Sequence, residues 1–408
     1  MPDSEQPHRI IYVSLVFHPD PSASSILFTD LFRRLAGDSI QITVLTGFPS
    51  SRGSHASARL PRHEEVDGIR IERCGLRIAG KSSLLTRALS YGTFLAHSGW
   101  KLARTGRGAT VVGGTDPPFT SIALWLGSHL GRYRYQVLLL DLYPDGLVGL
   151  GALGESSPVT RLWRWFNRRS YLRAGQLLVI GRDMAMLLSR RYGIDPQQVA
   201  YIPHWGAREA EMGRQSGFLA ALGLEGKFVV QYSGNMGLWH DIDCFVHAAD
   251  RLRADETIHF LFIGKGCRRA AAEALARDLR LTNITWLDFL PRERLSESLM
   301  ACDLSLISLR AGLEGVAVPS KLYGILASGR AVVAQVPHES EVAYVIAEEK
   351  CGIVVMPGDV EALAAAISRL AHSPDVTAEM GRNAAAAYRN KYTIDRAVAA
   401  FRHVWHLA

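Results

Sequence analysis

The sequence predicts two successive doubly wound α/β domains, and three observations lead to this fold class. Short apolar runs alternate with longer amphipathic stretches along the 408 residues, which is typical of parallel sheets covered by helices on both faces. The series stops at a polar stretch, residues 203–217, and then restarts. The length suits two or three domains, and 48% hydrophobic with 21% charged residues suits packed cores. We therefore place one domain at 1–205 and a second at 206–385, and 386–408 is a candidate C-terminal helix that packs back on the first.

In the first half, each apolar run is short enough for a strand and precedes a longer stretch. Residues 10–17 (IIYVSLVF) read as a buried strand, and residues 25–36 then place their apolar side chains at helical spacing. The loop between them, 17–25, carries serines that suit either an anion site or a plain helix cap. Further strands are expected at 40–46, 69–73, 111–112, 136–140, 177–180 and 199–202.

The second half repeats this alternation. Residues 228–232 (FVVQY) read as a strand that ends in a glycine-containing loop, and the strand at 259–263 ends at Gly264, with a helix expected between them at 242–252. Further strands are expected at 284–286, 304–308, 331–334 and 353–355. Ligands of open parallel sheets bind beyond the carboxyl ends of the strands, so we expect the functional residues in the loops that follow these strands.

Charge and cysteine usage restrict the class of protein. A net charge of +7 favours an anionic partner, which is a phosphate-bearing ligand, a nucleic acid or an acidic membrane surface. A nucleic-acid-binding protein is disfavoured, because no aromatic platform or recognised motif accompanies the charge. Five cysteines without a Cys-x-x-Cys pair disfavour a zinc ribbon and a disulfide framework. The polar start of the chain and the lack of a long apolar window lead us to expect a cytoplasmic protein.

Two glycine loops are candidates for contact with phosphate. Gly234 and Gly237, in the loop YSGNMGLWH, permit close approach of the backbone to a phosphate, although a plain turn explains them equally well. The loop Gly264-Lys265-Gly266 is similar. It matches neither a Walker loop nor the GxGxxG fingerprint, which disfavours a nicotinamide-dependent dehydrogenase.

The most informative segment is residues 309–333, LRAGLEGVAVPSKLYGILASGRAVV. It follows one strand, ends in another and contains a helix expected at 321–327, whose first turn suits Pro319 and Ser320. Lys321 then lies in the first helical turn, where a cation opposes the helix dipole. A bound phosphate would relieve this unfavourable arrangement.

These segments together resemble the retaining glycosyltransferases of family 4, which have the GT-B fold. The similarity includes the segment just described, SGNMG at 233–237, DLYPD at 141–145, and IPHWG at 202–206, where His204 replaces an asparagine. The branch with this proline–serine–lysine motif includes N-acetylfucosaminyltransferase-like enzymes of bacterial O-antigen, capsule and exopolysaccharide synthesis. The resemblance implies two facing Rossmann-like domains with a cleft between them, the first for the acceptor and the second for the nucleotide-sugar donor.

The resemblance also implies a reaction and the residues that perform it. A nucleotide sugar, by default a UDP-sugar, would give up its sugar with retention of configuration, and neither a cofactor nor a metal is implied. The candidates for binding the donor are Ser233, Gly234, Asn235, Lys265, Phe289, Leu290, Pro319, Ser320, Lys321, Tyr323 and Glu341. The candidates for the reaction are Asp141, Glu314 and Lys321. Among these, Asp141 would bind a sugar hydroxyl or assist deprotonation of the acceptor.

The sequence departs from the family at its pair of glutamates. The second glutamate of the family, which commonly binds the ribose, corresponds to Gly324, and the position eight residues earlier is Val316. Glu314 is the acid of this loop and a candidate for the first glutamate's role. Ribose recognition would then fall to Glu341 or Ser340.

The acceptor is expected to be a lipid-linked molecule or a glycan at the cytoplasmic membrane face. Residues Arg161 to Arg191 contain eight arginines against one acid, Asp183, with aromatic residues interleaved. This composition suits an interfacial helix on anionic lipid, and a solvated helix face is the alternative. Residues 82–104 are a second amphipathic stretch, for which an ordinary core helix is favoured. The alternatives for function are transfer to a soluble small-molecule acceptor and a catalytically weak sugar-nucleotide-binding regulator.

Overall fold

The computed structural model describes residues 7–37, 39–49, 60–77, 84–206 and 216–407, and the chain folds as two compact units. The first unit consists of Met1–Val148, Leu153–Pro203 and Ala397–Ala408, and the second consists of Gly149–Ala152 and His204–Arg396. The main change of unit falls two residues before the expected boundary at 205. Most of the predicted polar linker, together with residues 1–6, 82 and 83, lies outside the described residues.

The first unit is built on an eight-stranded sheet in the order β3-β4-β2-β1-β5-β6-β7-β8. The strands are β1 (His8–Val13), β2 (Ile40–Thr46), β3 (His63–Val66), β4 (Ile69–Arg73), β5 (Thr110–Gly113), β6 (Tyr135–Leu139), β7 (Gln176–Val179) and β8 (Val199–Tyr201). All neighbouring pairs are parallel except β3 with β4. The apolar runs do not predict β3, because its sequence, HEEV, is polar, as befits a strand at a sheet edge.

Helices connect these strands. They are α1 (Ala23–Leu35), α2 (Leu84–Thr105), α3 (Thr120–Gly131), α4 (Asp145–Gly149), α5 (Pro158–Arg173) and α6 (Arg182–Leu187), which continues into a π-helical turn, Leu188–Tyr192. The start of α5 follows from its sequence, since Pro158 occupies the first turn and the Ser157 hydroxyl accepts a hydrogen bond from the Thr160 backbone N–H at 3.1 Å.

The second unit contains a six-stranded parallel sheet in the order β11-β10-β9-β12-β13-β14. The strands are β9 (Phe228–Ser233), β10 (Ile258–Ile263), β11 (Ile284–Leu287), β12 (Leu304–Ser308), β13 (Ala331–Gln335) and β14 (Gly352–Val355). The helices are α7 (Ser216–Ala220), α8 (Ile242–Arg251), α9 (Arg269–Asp278), α10 (Arg292–Ala301), α11 (Lys321–Ala327), α12 (Glu341–Glu349), α13 (Val360–Ala371) and α14 (Pro374–Lys391). The strand order reverses between β9 and β12, which is where ligands bind in such sheets.

The last residues of the chain belong to the first unit. The final helix, α15 (Ile394–Val404), is separated from α14 by a break at which the Thr393 hydroxyl accepts a hydrogen bond from the Arg396 N–H at 3.4 Å. The stretch 386–408 is therefore the end of one helix and the whole of another. The Phe401 ring lies 6.4 Å from the Phe28 ring, and the indole N–H of Trp405 donates to the Gln136 side-chain oxygen at 2.8 Å.

The predicted architecture of two doubly wound α/β domains is confirmed by these two parallel-rich sheets. Within the part of the chain that the structure describes, none of the helices combines the length and apolar character needed to cross a membrane.

Candidate functional site

Two glycine loops lie at the carboxyl ends of β9 and β10, and their backbones touch. The Gly234 N–H donates to the Ile263 carbonyl at 2.9 Å, and the Met236 N–H donates to the Lys265 carbonyl at 2.8 Å. Gly264 has a φ of +139°, and a Cβ placed on it would lie 2.0 Å from the Gly234 carbonyl oxygen. A side chain has no room there, so glycine at this position allows the two loops to lie this close together.

Replacing Gly264 by alanine is expected to lower the free energy of unfolding by about 2–3 kcal/mol, because the new methyl group meets backbone atoms and the φ angle is strained. Thermal unfolding measures the effect. Gly99→Ala is the matched control, since a Cβ on Gly99 meets nothing within 4 Å and alanine suits a helix. Equal melting temperatures of the Gly264 variant and the wild type would contradict this account of the loop.

The side chain of Lys321, at the start of α11, reaches the first of these loops. Its ammonium nitrogen lies 3.6 Å from the centre of the Tyr232 ring, and a Cβ on Gly234 would lie 3.2 Å from it. This nitrogen is buried and has no hydrogen-bond partner among the described residues. Burial lowers the pKa of Lys321 to about 7. A buried cation without a partner is unfavourable, so the arrangement is suited to accept an anion.

His240 completes the group that we call the Lys321 cluster: Tyr232, Gly234, His240 and Lys321. The His240 Nδ1 accepts a hydrogen bond from the Gly237 N–H at 3.2 Å. Burial, followed by the charge of Lys321, lowers the pKa of His240 to about 3, so the imidazole stays neutral near pH 7. The Tyr232 hydroxyl donates to the Asn235 carbonyl at 2.7 Å and thereby stabilises the loop. Asn235 itself is exposed.

The second predicted lysine has a different environment. The Lys265 ammonium forms an ion pair with the Asp288 carboxylate at 2.8 Å, and both side chains are exposed. Arg269 contacts the same carboxylate at 2.7 Å, and the bond from Lys265 is the main cause that lowers the pKa of Asp288. The charge of Lys265 is thus already balanced. Beside this pair, Phe289 exposes 55% of its surface, whereas Leu290 packs partly buried against the core.

The loop between β12 and α11 lies next to the Lys321 cluster. The Arg310 N–H donates to the Trp239 carbonyl at 3.0 Å, which ties this loop to the one that contains His240. Glu314 is partly exposed, and its carboxylate accepts a hydrogen bond from the Gly312 N–H at 2.9 Å. Neighbouring loops and the start of α11 therefore contain the predicted residues Ser233, Gly234, Asn235, Glu314, Pro319, Ser320 and Lys321.

Two predicted donor-binding residues are fully buried. The Tyr323 ring packs 5.2 Å from the Tyr392 ring and 6.2 Å from the His204 ring. Glu341 has no exposed surface and occupies the first turn of α12, after Ser340, whose hydroxyl accepts from the Ala343 N–H at 3.3 Å. Both belong to the interior of the second unit, and their assignment to the donor stays a prediction.

In the first unit, Asp141 follows β6 at the carboxyl end of the sheet. The backbone N–H groups of Leu140 and Asp141 both donate to the Thr115 hydroxyl at 3.3 Å, which joins the ends of β5 and β6. Desolvation, followed by the charge of Asp116, raises the pKa of Asp141 to about 7. Desolvation and then the charges of Asp141 and Asp116 also raise the pKa of Tyr143. A carboxyl group poised in this way can exchange a proton near pH 7.

Sequence reasoning missed the environment of Asp145, which the motif groups with Asp141. The Asp145 side chain is 1% exposed and accepts from Arg164 at 2.8 Å, from Arg191 at 2.5 Å and from the Tyr192 hydroxyl. We call these four residues the Asp145 cluster. No local spacing signals it, because the partners are up to 47 residues away. Two of the arginines counted as candidates for lipid contact are therefore held by a buried carboxylate.

No group of three His, Cys, Asp or Glu side chains that could hold a metal ion occurs among the residues that the structure describes.

Two family models match the chain. The model described as "Glycosyl transferase 4-like domain" matches residues 26–205, and the model described as "Glycosyl transferases group 1" matches residues 227–373. The matches fall on the first and second α/β domains respectively.

Individual relatives and a solved structure agree with these models. The probable glycosyltransferase WbjE of Pseudomonas aeruginosa is 29% identical over 72% of this chain and 74% of its own length. The putative colanic acid biosynthesis glycosyl transferase WcaI of Escherichia coli K12 is 26% identical over 88% of this chain and 91% of its own. The crystal structure of Anabaena Alr3699/HepE in complex with UDP covers 98% of this chain and 100% of its own, with a TM-score of 0.74 at 13% identity, and thereby shares the GT-B fold.

Proposed function

We propose that this chain, whose two α/β domains each match a glycosyltransferase model, is a family 4-like glycosyltransferase with the GT-B fold that transfers a sugar from a UDP-linked donor to a lipid-linked or glycan acceptor with retention of configuration. The observation that carries the proposal is the Lys321 cluster, in which a buried ammonium lies beside Gly234 and has no hydrogen-bond partner among the described residues. The UDP in the Anabaena complex supports the choice of nucleotide. The sequence motifs favour an N-acetylated amino or deoxyamino sugar.

The donor diphosphate would be bound by the Lys321 ammonium and by backbone of the loop at Gly234. When the bond between the sugar C1 and the phosphate oxygen breaks, its electron pair stays on the diphosphate, and Lys321 stabilises that charge. The exposed ring of Phe289 offers a flat surface for the base. Glu314, which is partly exposed, is the carboxylate of these loops best placed to meet a donor hydroxyl.

The acceptor would be activated by Asp141 of the first unit. An acceptor hydroxyl forms the new bond to C1 on the face from which the diphosphate departs, which retains the configuration, and its proton passes to the Asp141 carboxylate. A carboxylate whose pKa is raised to about 7 is a stronger base than an ordinary aspartate and is still partly ionised at neutral pH. Asp116 acts through its charge, which raises the pKa of Asp141 further than desolvation does alone.

The pH dependence of kcat/KM is expected to have a narrow maximum near pH 7. Asp141 must be ionised and titrates at about 7, so activity is lost as the pH falls below 7. Lys321 must be protonated and titrates at about 7 in the free protein, so activity is lost as the pH rises above 7. The measurement is a steady-state profile between about pH 5.5 and 9 with a UDP-sugar, since kcat/KM reports groups of the free enzyme.

Two variants assign the limbs of this profile. Lys321→Arg keeps its charge throughout the range, so its alkaline limb should disappear. Asp141→Asn cannot titrate, so its acid limb should disappear along with most of the activity. A wild-type profile that is flat between pH 6 and 8 would rule out these assignments.

The function itself is tested with a panel of nucleotide sugars, incubated with lipid-linked and soluble acceptors in EDTA and followed by mass spectrometry. We expect transfer from one UDP-sugar without added metal, because positive groups of the chain replace the cation. Tight binding of UDP without transfer or hydrolysis would instead support the regulatory alternative, which the replacement of the family's glutamates by Val316 and Gly324 favours.

A further inference from the structure

Three neighbouring helices of the first unit expose many large apolar side chains. Helix α3 packs against both α2 and α5. The exposed apolar residues of these helices are Leu85, Leu89 and Trp100 of α2, Leu126 and Leu130 of α3, and Val159, Leu162, Trp165 and Leu172 of α5. Leu85 is 82% and Leu130 is 84% exposed. Single exposed apolar residues are ordinary, whereas their concentration on adjoining helices marks an interaction surface. We call these nine residues the three-helix surface.

The charge of the same helices has one sign. Helices α2 and α5 contain lysine or arginine, α3 contains neither, and none of the three contains aspartate or glutamate. Arg161, Arg169 and Arg173 are exposed on α5. The Arg169 guanidinium lies 5.2 Å from the centre of the Trp165 ring, and the Arg104 guanidinium lies 4.0 Å from the Trp100 ring. Arginine beside an exposed indole suits the boundary between the headgroups and the acyl chains of a bilayer.

An aromatic group connects this surface with Asp141. Phe119, which precedes α3 and is 39% exposed, stacks on Trp163 of α5 with ring centres 4.6 Å apart. The Trp163 ring also stacks 6.3 Å from Tyr143, two residues beyond Asp141. On α2, burial and then the charge of Asp116 raise the pKa of Tyr91.

We propose that the three-helix surface docks on an anionic lipid bilayer, and that a membrane-held acceptor reaches Asp141 past Phe119 and Trp163. The second clause rests on the proposed function, whereas the first does not. The surface differs from the sequence-based expectation for Arg161 to Arg191, because Arg164 and Arg191 belong to the Asp145 cluster. It adds α2 and α3, which supply most of the exposed leucines. Helices α2, α3 and α5 contain no acidic residues. This favours an anionic lipid surface over a protein partner, since protein surfaces usually carry both positive and negative charges.

The test is sedimentation of the full chain with vesicles of phosphatidylcholine alone or with about a third phosphatidylglycerol. We expect binding that needs the anionic lipid and weakens in high salt. Replacing Arg161, Arg169 and Arg173 by glutamine should weaken it roughly 100-fold, at about 1 kcal/mol for each charge. Leu126→Ser with Leu130→Ser should weaken it about tenfold, because less apolar surface is buried. The matched controls are glutamine at the exposed Arg277, Arg382 and Arg396, and Met356→Ser, which should bind vesicles like the wild type.

Three outcomes would overturn the proposal: no binding to anionic vesicles, equal losses in the surface variants and the controls, or a wild-type dimer that Leu126→Ser with Leu130→Ser dissociates while vesicles are not bound. The last result would make the surface an interface between two copies of the chain. UDP affinity is measured on every variant. Wild-type UDP affinity in a variant that no longer binds vesicles separates a failure of docking from a failure of the proposed function.

Discussion

Lys321→Met is expected to slow sugar transfer severely and at the same time to stabilise the unliganded protein. The ammonium is buried, lies over the Tyr232 ring and has no hydrogen-bond partner among the described residues. Because the proposed function assigns this charge to the departing diphosphate, its loss should lower kcat/KM by about 10³-fold. Methionine fills the same space without a charge to desolvate, so the free energy of unfolding should rise by about 1–4 kcal/mol at pH 7.

The stability gain should depend on pH with a definite sign. The pKa of Lys321 is about 7 in the native protein against an ordinary value of 10.5. Between these values the unfolded chain binds the proton more tightly than the native protein does, so the wild type becomes more stable as the pH rises. The advantage of Lys321→Met should be largest below pH 7 and should disappear toward pH 10.5. Chemical denaturation at several pH values, with donor turnover measured in parallel, checks both effects.

Lys265→Met is the matched control, because Lys265 is the other lysine predicted to meet the diphosphate. Its ammonium is exposed and already paired with Asp288, so its removal should lower kcat/KM by less than about fivefold, as for a surface ion pair. Similar losses of activity in the two variants would refute the assignment of the diphosphate to the buried Lys321 rather than to the exposed, paired Lys265. Unchanged turnover in Lys321→Met would remove that residue from the reaction.

The second large effect is expected at Asp145, where replacement by alanine should lower the free energy of unfolding by about 3–5 kcal/mol. The carboxylate is 1% exposed and accepts from Arg164, Arg191 and the Tyr192 hydroxyl. Its removal leaves guanidinium groups without their buried counter-charge, which costs more than the pair contributes when intact. Denaturant unfolding measures the change, and UDP binding, which the proposed function assigns to the second unit, serves as an independent readout of that unit's integrity.

Glu155→Gln is the control for this cluster. Glu155 pairs with Arg164 at 2.7 Å, but it is 60% exposed, so the change should cost no more than about 1 kcal/mol. A similar effect of both substitutions would mean that the buried carboxylate is not what holds the cluster together. Asp145→Asn, which keeps the shape, should fall between the two.

Local patterns predicted the parts of the site that depend on local chain geometry. The glycines at 234 and 264 and the cation at the start of α11 could be recognised because tight loops and helix starts restrict residue type within a few positions. The sheet strands followed from continuous apolar runs for the same reason. Tyr323 illustrates the limit, because the motif that contains it indicates a functional segment but not which side of a helix faces the core.

The rest depends on contacts between distant parts of the chain. Asp145 looks like a partner of Asp141 in the DLYPD motif, yet its environment is set by Tyr192, 47 residues later. The two aspartates are four residues apart, but their electrostatic environments are opposite. Arginines neutralise Asp145, whereas Asp141 is desolvated and lies near the like charge of Asp116. Spacing along the chain carries no signal for that difference. Likewise, the polar sequence of β3 does not predict a strand, because its strand structure depends on pairing with β4.

The return of residues 397–408 to the first unit sets an order of events during synthesis. Phe401 and Trp405 pack on Phe28 and Phe32 of α1, yet the ribosome makes them after every residue of the second unit. The N-terminal unit therefore cannot complete its core before the second unit has been synthesised, whereas N-terminal domains usually fold first during synthesis. Until Phe401 and Trp405 have been synthesised, α1 lacks these aromatic neighbours, and an exposed aromatic face is the kind of surface that chaperones bind.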